Sequence, residues 1–299
     1  MGRKGLVSQT AREKVSVLAV VILAAVPAGA VAQSQSGEEE SQSLQPGQTV
    51  LDRPRPEVDP QGARAGGFLL FPSVEIEEEL NDNIFAAENN ERSDFITHVI
   101  PGFVAESQWS NHALNFEAGA DAGFYADNSD ENYLDYNVGL NGRYDISRND
   151  NLFADFSYQR LHEERGSPDD VNGVEPSEYD LINGVVGGEV QYNRVTSETT
   201  VTVDSYDYDD VGRAGGGVIN NDDRDRTEAS VRQRVSYEIQ PSFSAFVGGA
   251  YIVRSYDVEA SGDDNNLDRD SAGYEALVGT EFDLTGLTFG EVFAGYRSQ

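Results

Sequence analysis

Residues 134–146 alternate between apolar and polar side chains. Even positions read Leu134, Tyr136, Val138, Leu140, Gly142, Tyr144 and Ile146, and odd positions read Asp135, Asn137, Gly139, Asn141, Arg143 and Asp145. A β-strand sends successive side chains to opposite faces, so this run has one apolar and one polar wall. Comparable runs fill the chain from Phe68 to its last residue. Eleven strands are expected, at about 67–80, 94–108, 111–125, 132–147, 150–162, 178–193, 196–208, 224–239, 242–257, 270–284 and 287–299. The least regular is 178–193, where Val185 and Val186 fall on both faces.

The connections take turns being short and long. Short turns fall at Trp109-Ser110, Arg148-Asn149, Arg194-Val195, Gln240-Pro241 and Thr285-Gly286, and Asp-, Asn-, Gly- and Ser-rich loops at 81–93, 126–131, 163–177, 209–223 and 258–269. A soluble sandwich also alternates along its strands, but it has no need of this one-sided turn–loop asymmetry. Long strands, short turns at one end and long loops at the other describe an all-β, antiparallel up-and-down transmembrane β-barrel. Aromatics near strand ends (Phe124, Tyr125, Tyr133, Tyr136, Tyr144, Tyr206 and Tyr256) suit the membrane interface.

Eleven is an odd number, whereas bacterial single-chain barrels have even strand counts. The chain also stops inside the alternating run Phe289–Arg297. A strand left without a partner in lipid has unsatisfied backbone groups. The expectation is a barrel of residues 67–299 that is incomplete at its C-terminus.

Ahead of the strands, Arg3, Lys4, Arg12 and Lys14 form a basic head, followed by the apolar run Val15–Ala25 and the small-residue pattern Ala30-Val31-Ala32. This is the pattern of a cleaved export signal over residues 1–32. The apolar run is too short for a spanning helix of ~20 residues. Residues 33–66 are rich in Gln, Ser, Glu, Pro and Gly and bury too little to offset ordering entropy, which predicts a flexible periplasmic segment. With four basic residues against Glu13 removed, the net charge moves from -32 to -35. Such acidity argues against nucleic acid as a partner, since the positive patches it requires are missing. Outer-membrane lipid and lipopolysaccharide are the expected surroundings. No cysteine is present, so the sheet itself must hold the fold.

Leu51-Asp52-Arg53-Pro54-Arg55-Pro56-Glu57, Gly66-Gly67-Phe68, Phe71-Pro72-Ser73-Val74 and Leu80-Asn81-Asp82-Asn83-Ile84-Phe85 form a set, continued by Asp94-Phe95-Ile96 and Ile100-Pro101-Gly102. This set resembles the outer-membrane β-barrel porins of alphaproteobacteria, the beta-barrel porin 2 group, over about residues 50 to 299. The resemblance implies a Gram-negative outer-membrane barrel, sometimes encoded near exopolysaccharide export genes. It brings no catalytic residues, and its members are usually longer, in line with truncation.

Catalytic and metal chemistry find little support. His98, His112 and His162 share no metal or nucleophile spacing, and no Ser–His motif suggests a hydrolase. Gly212–Gly217 lacks the ending of a phosphate loop and reads as a flexible extracellular loop. The oxygen-rich loops at 127–132, 220–223 and 263–268 match no EF-hand spacing, so solvated loop charge explains them better than calcium. No enzyme activity, cofactor or metal is expected.

The polar wall is the functional surface of a barrel. Its candidates are Arg143, Arg224, Arg226, Arg232, Arg234, Glu117, Asp121, Glu275 and Glu281. The arginines of 224–239 share one wall, where they either brace the barrel through carboxylates or select among polar and anionic solutes. The expected function is a porin-like passive conduit for polar solutes or the outer-membrane component of exopolysaccharide export. The alternative is a non-conducting barrel whose acidic loops contact cations, lipopolysaccharide or polysaccharide.

Overall fold

The structure, a computed structural model, describes residues 60–258, 269–283 and 289–299, together with the backbone of a strand at Val15–Ala19. Its eleven long strands are β1 (Phe68–Asn81), β2 (Asp94–Ser107), β3 (Ala113–Tyr125), β4 (Tyr133–Asp145), β5 (Asn151–His162), β6 (Glu178–Tyr192), β7 (Val195–Tyr208), β8 (Arg226–Gln240), β9 (Phe243–Tyr256), β10 (Ser271–Asp283) and β11 (Phe289–Ser298). Each pairs with its sequence neighbours, and every pairing is antiparallel. No strand end lies more than two residues from its expected position. The free side of β1 carries Val15–Ala19 and Ala63–Ala65. The latter is thus a short strand where a flexible segment is expected. Among the described residues β11 pairs only with β10, and the sheet is open between β11 and β1. The signal cleavage pattern, residues 33–59, the acidic stretch 263–268 and the turn at Thr285-Gly286 lie outside the described residues.

All the described short turns fall on one edge of the sheet. Two of them show how it is made. Asn193 has φ 58° between Tyr192 and Val195, and asparagine tolerates the left-handed region better than most residues. In the β8–β9 turn Pro241 presets the first corner and Ser242 takes φ 69°, beside a bulge between Glu238 and Gln240.

The other edge carries the long loops, and they are knitted together. Arg165 from the β5–β6 loop donates to both carboxylate oxygens of Glu131 in the β3–β4 loop, each at 2.7 Å, and to the Gly173 carbonyl at 3.0 Å. Its guanidinium also lies 5.8 Å from the Phe85 ring of the β1–β2 loop. Glu163 accepts from Arg224, and Val174 N–H donates to the Gly212 carbonyl at 2.9 Å. The glycine-rich segment is not a loose loop. Val211–Gly212 pairs with Val218–Ile219, and Gly215, Gly216 and Gly217, all at positive φ, close the hairpin.

Directly opposed residues of an antiparallel pair share a face, so the register assigns each strand position to a wall. Phe116, Leu140 and Phe156 form one row on the outer wall, with Ala118, Val138 and Tyr158 beside it. Val186, Val201, Val231, Tyr251 and Tyr274 form another. These apolar side chains are largely exposed, Val186 at 61% and Leu140 at 45%, as a wall facing lipid requires. Tyr136 and Tyr144 stand eight residues apart on the outer side of β4. That is about 27 Å along a strand and roughly 21 Å along the membrane normal at a tilt near 40°, close to the ~25 Å apolar band of such barrels. Of the aromatics expected at the interface, Phe124, Tyr136 and Tyr144 face outward. Tyr125, Tyr133, Tyr206 and Tyr256 register inward instead, where Tyr133 donates to Asp121 and the rings of Tyr206 and Tyr256 face the guanidinium groups of Arg226 and Arg269.

Candidate functional site

The inner wall is the candidate site, and its rows are hydrogen-bonded across strands. Asn115 Nδ2 donates to Asn141 Oδ1 at 2.9 Å, and Asn141 Nδ2 donates to Asp155 Oδ1 at 3.0 Å. These residues are directly paired across β3, β4 and β5, so parity alone brings them together. Glu117 lies beside them. It faces Gly139, and any Cβ at that glycine would sit 2.7 Å from the Glu117 side chain. Gly139 therefore makes room for the carboxylate.

Toward the loop edge a second network crosses five strands. Tyr133 Oη donates to Asp121 Oδ2 at 3.1 Å and meets His98 Nδ1 at 3.0 Å, while its ring stacks on His162 at 3.8 Å. His162 Nδ1 in turn lies 2.9 Å from Asp135, and His98 Nε2 lies 3.6 Å from Glu79. His162 sits at an outer-wall register position but turns inward over the end of β5. His112 remains apart at a short turn, accepting from Asp145 N–H at 3.0 Å. Among the described residues no three His, Asp or Glu side chains converge as a metal cluster would require.

The arginines of the inner wall are mostly neutralised. Arg143 pairs with Asp145 at 2.9 Å, near the short-turn edge. Arg226 pairs with Glu228 at 2.9 Å and covers the Tyr206 ring at 3.9 Å. Arg234 reaches Glu281 at 3.3 Å and Glu291 at 3.1 Å, over the Phe246 ring at 3.7 Å. Arg254 joins Glu228 at 3.0 Å, and Arg297 joins Glu275 at 3.3 Å. Arg254 and Arg297 belong to the site although they are not among the sequence candidates. Their parity, opposite to Val253 and Tyr296, is the signal that finds them.

Arg224 departs from its expected place. It lies in the 3-10 turn Asp222–Arg224 before β8, not on the strand wall, and is held by Glu163 and the Tyr208 ring at 4.0 Å. Its even numbering continues the parity of β8 into a segment where the backbone is no longer extended.

The wall is asymmetric in charge. Strands β1 to β5 contribute Glu75, Glu77, Glu79, Glu117, Asp121, Asp135 and Asp155 with Arg143 as their inward arginine. Strands β8 to β11 carry Arg226, Arg232, Arg234, Arg254 and Arg297 amid their carboxylates. Such a division sets up a transverse field inside a barrel.

At the loop edge Asp225 shows the cost of this acidity. Burial, joined by Asp207, Asp222 and Asp257, raises its carboxyl pKa despite a hydrogen bond from Tyr208 N–H at 2.7 Å. A carboxyl raised in the folded state contributes fully below its unfolded pKa and loses that contribution as pH rises through the folded value. Asp225→Asn keeps the acceptor and removes the charge. It is expected to resist urea better than the parent at neutral pH, with the difference vanishing in acid below the ordinary carboxylate range. Paired urea titrations in liposomes at the two pH values check this.

A family model described as Putative beta-barrel porin 2 matches residues 55–299. No curated protein matches the chain. The matched span contains all eleven long strands, and family and fold together point to the outer membrane. With its antiparallel sheet, apolar outer wall and polar inner wall, the chain belongs to this β-barrel porin family.

Proposed function

We propose that the chain is a passive conduit for polar solutes across the outer membrane, with exported polysaccharide as one form the cargo can take. The observation that carries this reading is the inner wall, with its hydrogen-bonded polar row across β3 to β5 and its arginines and carboxylates on β8 to β11. Asn137, Thr200 and Thr202 point inward, and none has a side-chain hydrogen-bond partner among the described residues. Such groups are free to exchange hydrogen bonds with water and with the hydroxyls of a passing solute. In this reading the leader of residues 1–32 is cleaved, the short turns face the periplasm and the long loops face outward. A conduit performs no covalent chemistry, and nothing on the wall is assigned a catalytic role.

The rival reading, a non-conducting barrel acting through its acidic loops, draws support from the loop network around Arg165 and Arg224. Reconstitution of the protein into planar bilayers separates the two. Stable stepwise conductance is the expected result. Silence with the folded barrel incorporated would favour the structural barrel.

A further inference from the structure

Arg232 differs from every other inward arginine of the eleven long strands. Arg143, Arg226, Arg234, Arg254 and Arg297 each hold a carboxylate within 3.3 Å. Arg232 makes no ion pair and no hydrogen bond among the described residues, although it sits near the middle of β8. The register explains why. Its partners on the two sides are Thr200, which can offer only a hydroxyl, and Ala250, whose methyl group neither pairs with nor covers a guanidinium. Nearby carboxylates are engaged elsewhere: Glu228 by Arg226 and Arg254, Glu275 by Arg297. Glu198 is registered opposite Arg234, one inward position nearer the short turns.

Arg232 also borders two open clefts on the inner wall, of about 350 Å³ and about 670 Å³, which share Thr202 and Arg297 with it. The first also takes in Ser230 and the second Thr200. Carboxylates also line both clefts, Asp204 and Glu228 in the first and Glu198 and Glu275 in the second, but a cation with free donors, flanked by hydroxyls and facing space large enough for a sugar, is suited to an anion that also carries hydroxyl groups.

We propose that Arg232, with Thr200, Thr202 and Ser230, forms a binding site for a carboxylate-bearing, polyhydroxylated solute. The guanidinium takes the carboxylate, and the three hydroxyls take neighbouring oxygens. The proposal rests on the conduit reading for how the solute arrives, and it names the class of cargo. In a lumen otherwise rich in carboxylates, the site makes the wall locally receptive to an anion. The surrounding acidity keeps the attraction weak enough for release, as conduction through a binding site requires.

The test uses the protein folded in detergent micelles, with glucuronate as probe and glucose as its neutral counterpart. Binding is followed by saturation-transfer NMR. Glucuronate is expected to saturate and glucose to bind far more weakly. Arg232→Gln should weaken glucuronate about tenfold, the change expected on losing one charge-assisted hydrogen bond. Arg143→Gln, which removes the same charge elsewhere on the wall, should leave it within about twofold of the parent. Arg232→Lys should restore part of the loss. Equal binding of the two sugars, or equal loss in the Arg232 and Arg143 variants, would overturn the site. Conductance measured on the same preparations keeps the two ideas apart. Binding in a silent barrel sinks the conduit reading and leaves the site standing, while conductance without glucuronate binding sinks the site alone.

Discussion

Leu140→Arg is expected to cost about 2–4 kcal/mol of barrel stability in a bilayer, whereas Asn141→Arg on the adjacent residue should cost little. The difference follows from parity. Leu140 lies between Phe116 and Phe156 on the outer wall, near the middle of β4, where a guanidinium would have to be held in hydrocarbon. Asn141 faces inward between Asn115 and Asp155, and an arginine there meets the Asp155 carboxylate in water. Urea titration of the two variants refolded into liposomes reads the difference directly. Equal stability would mean that the even positions of β4 do not face lipid.

The second large effect is in the loops. Glu131 and Arg165 are both nearly buried, their side chains 5% and 8% exposed. Removing one partner of a buried pair costs about 3–5 kcal/mol when no other counter-charge is near, and less here because Asp170 stays 3.6 Å from Arg165. Glu131→Ala should therefore loosen the loop layer, because Arg165 loses both 2.7 Å bonds to Glu131 and keeps the Gly173 carbonyl, Asp170 at 3.6 Å and the Phe85 ring at 5.8 Å. The loss is local, since the pair joins loops and not strands. Limited proteolysis should cut within 163–177 far faster in Glu131→Ala than in the parent. Heat-modifiable migration on gels, which reports the intact barrel, should stay unchanged. Cleavage at the parental rate would show that the pair contributes nothing to loop order.

The strands and their walls were legible in the sequence because both depend on local pattern. Parity of two places Asn115, Asn141 and Asp155 on one wall before any pairing is known, and the turn–loop alternation sets which strands are neighbours. What parity leaves open is which inward groups meet. Arg226, Arg232 and Arg234 look equivalent along the chain, yet Arg226 pairs with Glu228 on its own strand, Arg234 reaches Glu281 and Glu291 across the sheet, and the register sets Arg232 between threonine and alanine. Arg224 shows a different failure. Its spacing extends the pattern of β8, but the Asn-Asp-Asp run before it favours a turn, and the backbone obeys the turn. For the inward tyrosines closeness to a strand end is a weaker guide than parity, which sets the wall a side chain faces. For Tyr133 the true partners, Asp121, His98 and His162, come from three other strands. The Glu131–Arg165 pair joins two irregular loops 34 residues apart, and no periodicity connects them.

Because the chain contains no cysteine, every single-cysteine variant reports without background. The most direct test of a lipid-facing and a water-facing wall is a cysteine scan of residues 134–144 in β4, labelled with a small water-soluble thiol reagent after refolding into liposomes. Odd positions such as 135, 137, 141 and 143 should react about tenfold faster or more than even positions 136, 138, 140 and 142, because the reagent needs a water-exposed thiolate. Uniform reactivity at odd and even positions would contradict a membrane-spanning barrel with this orientation of its walls.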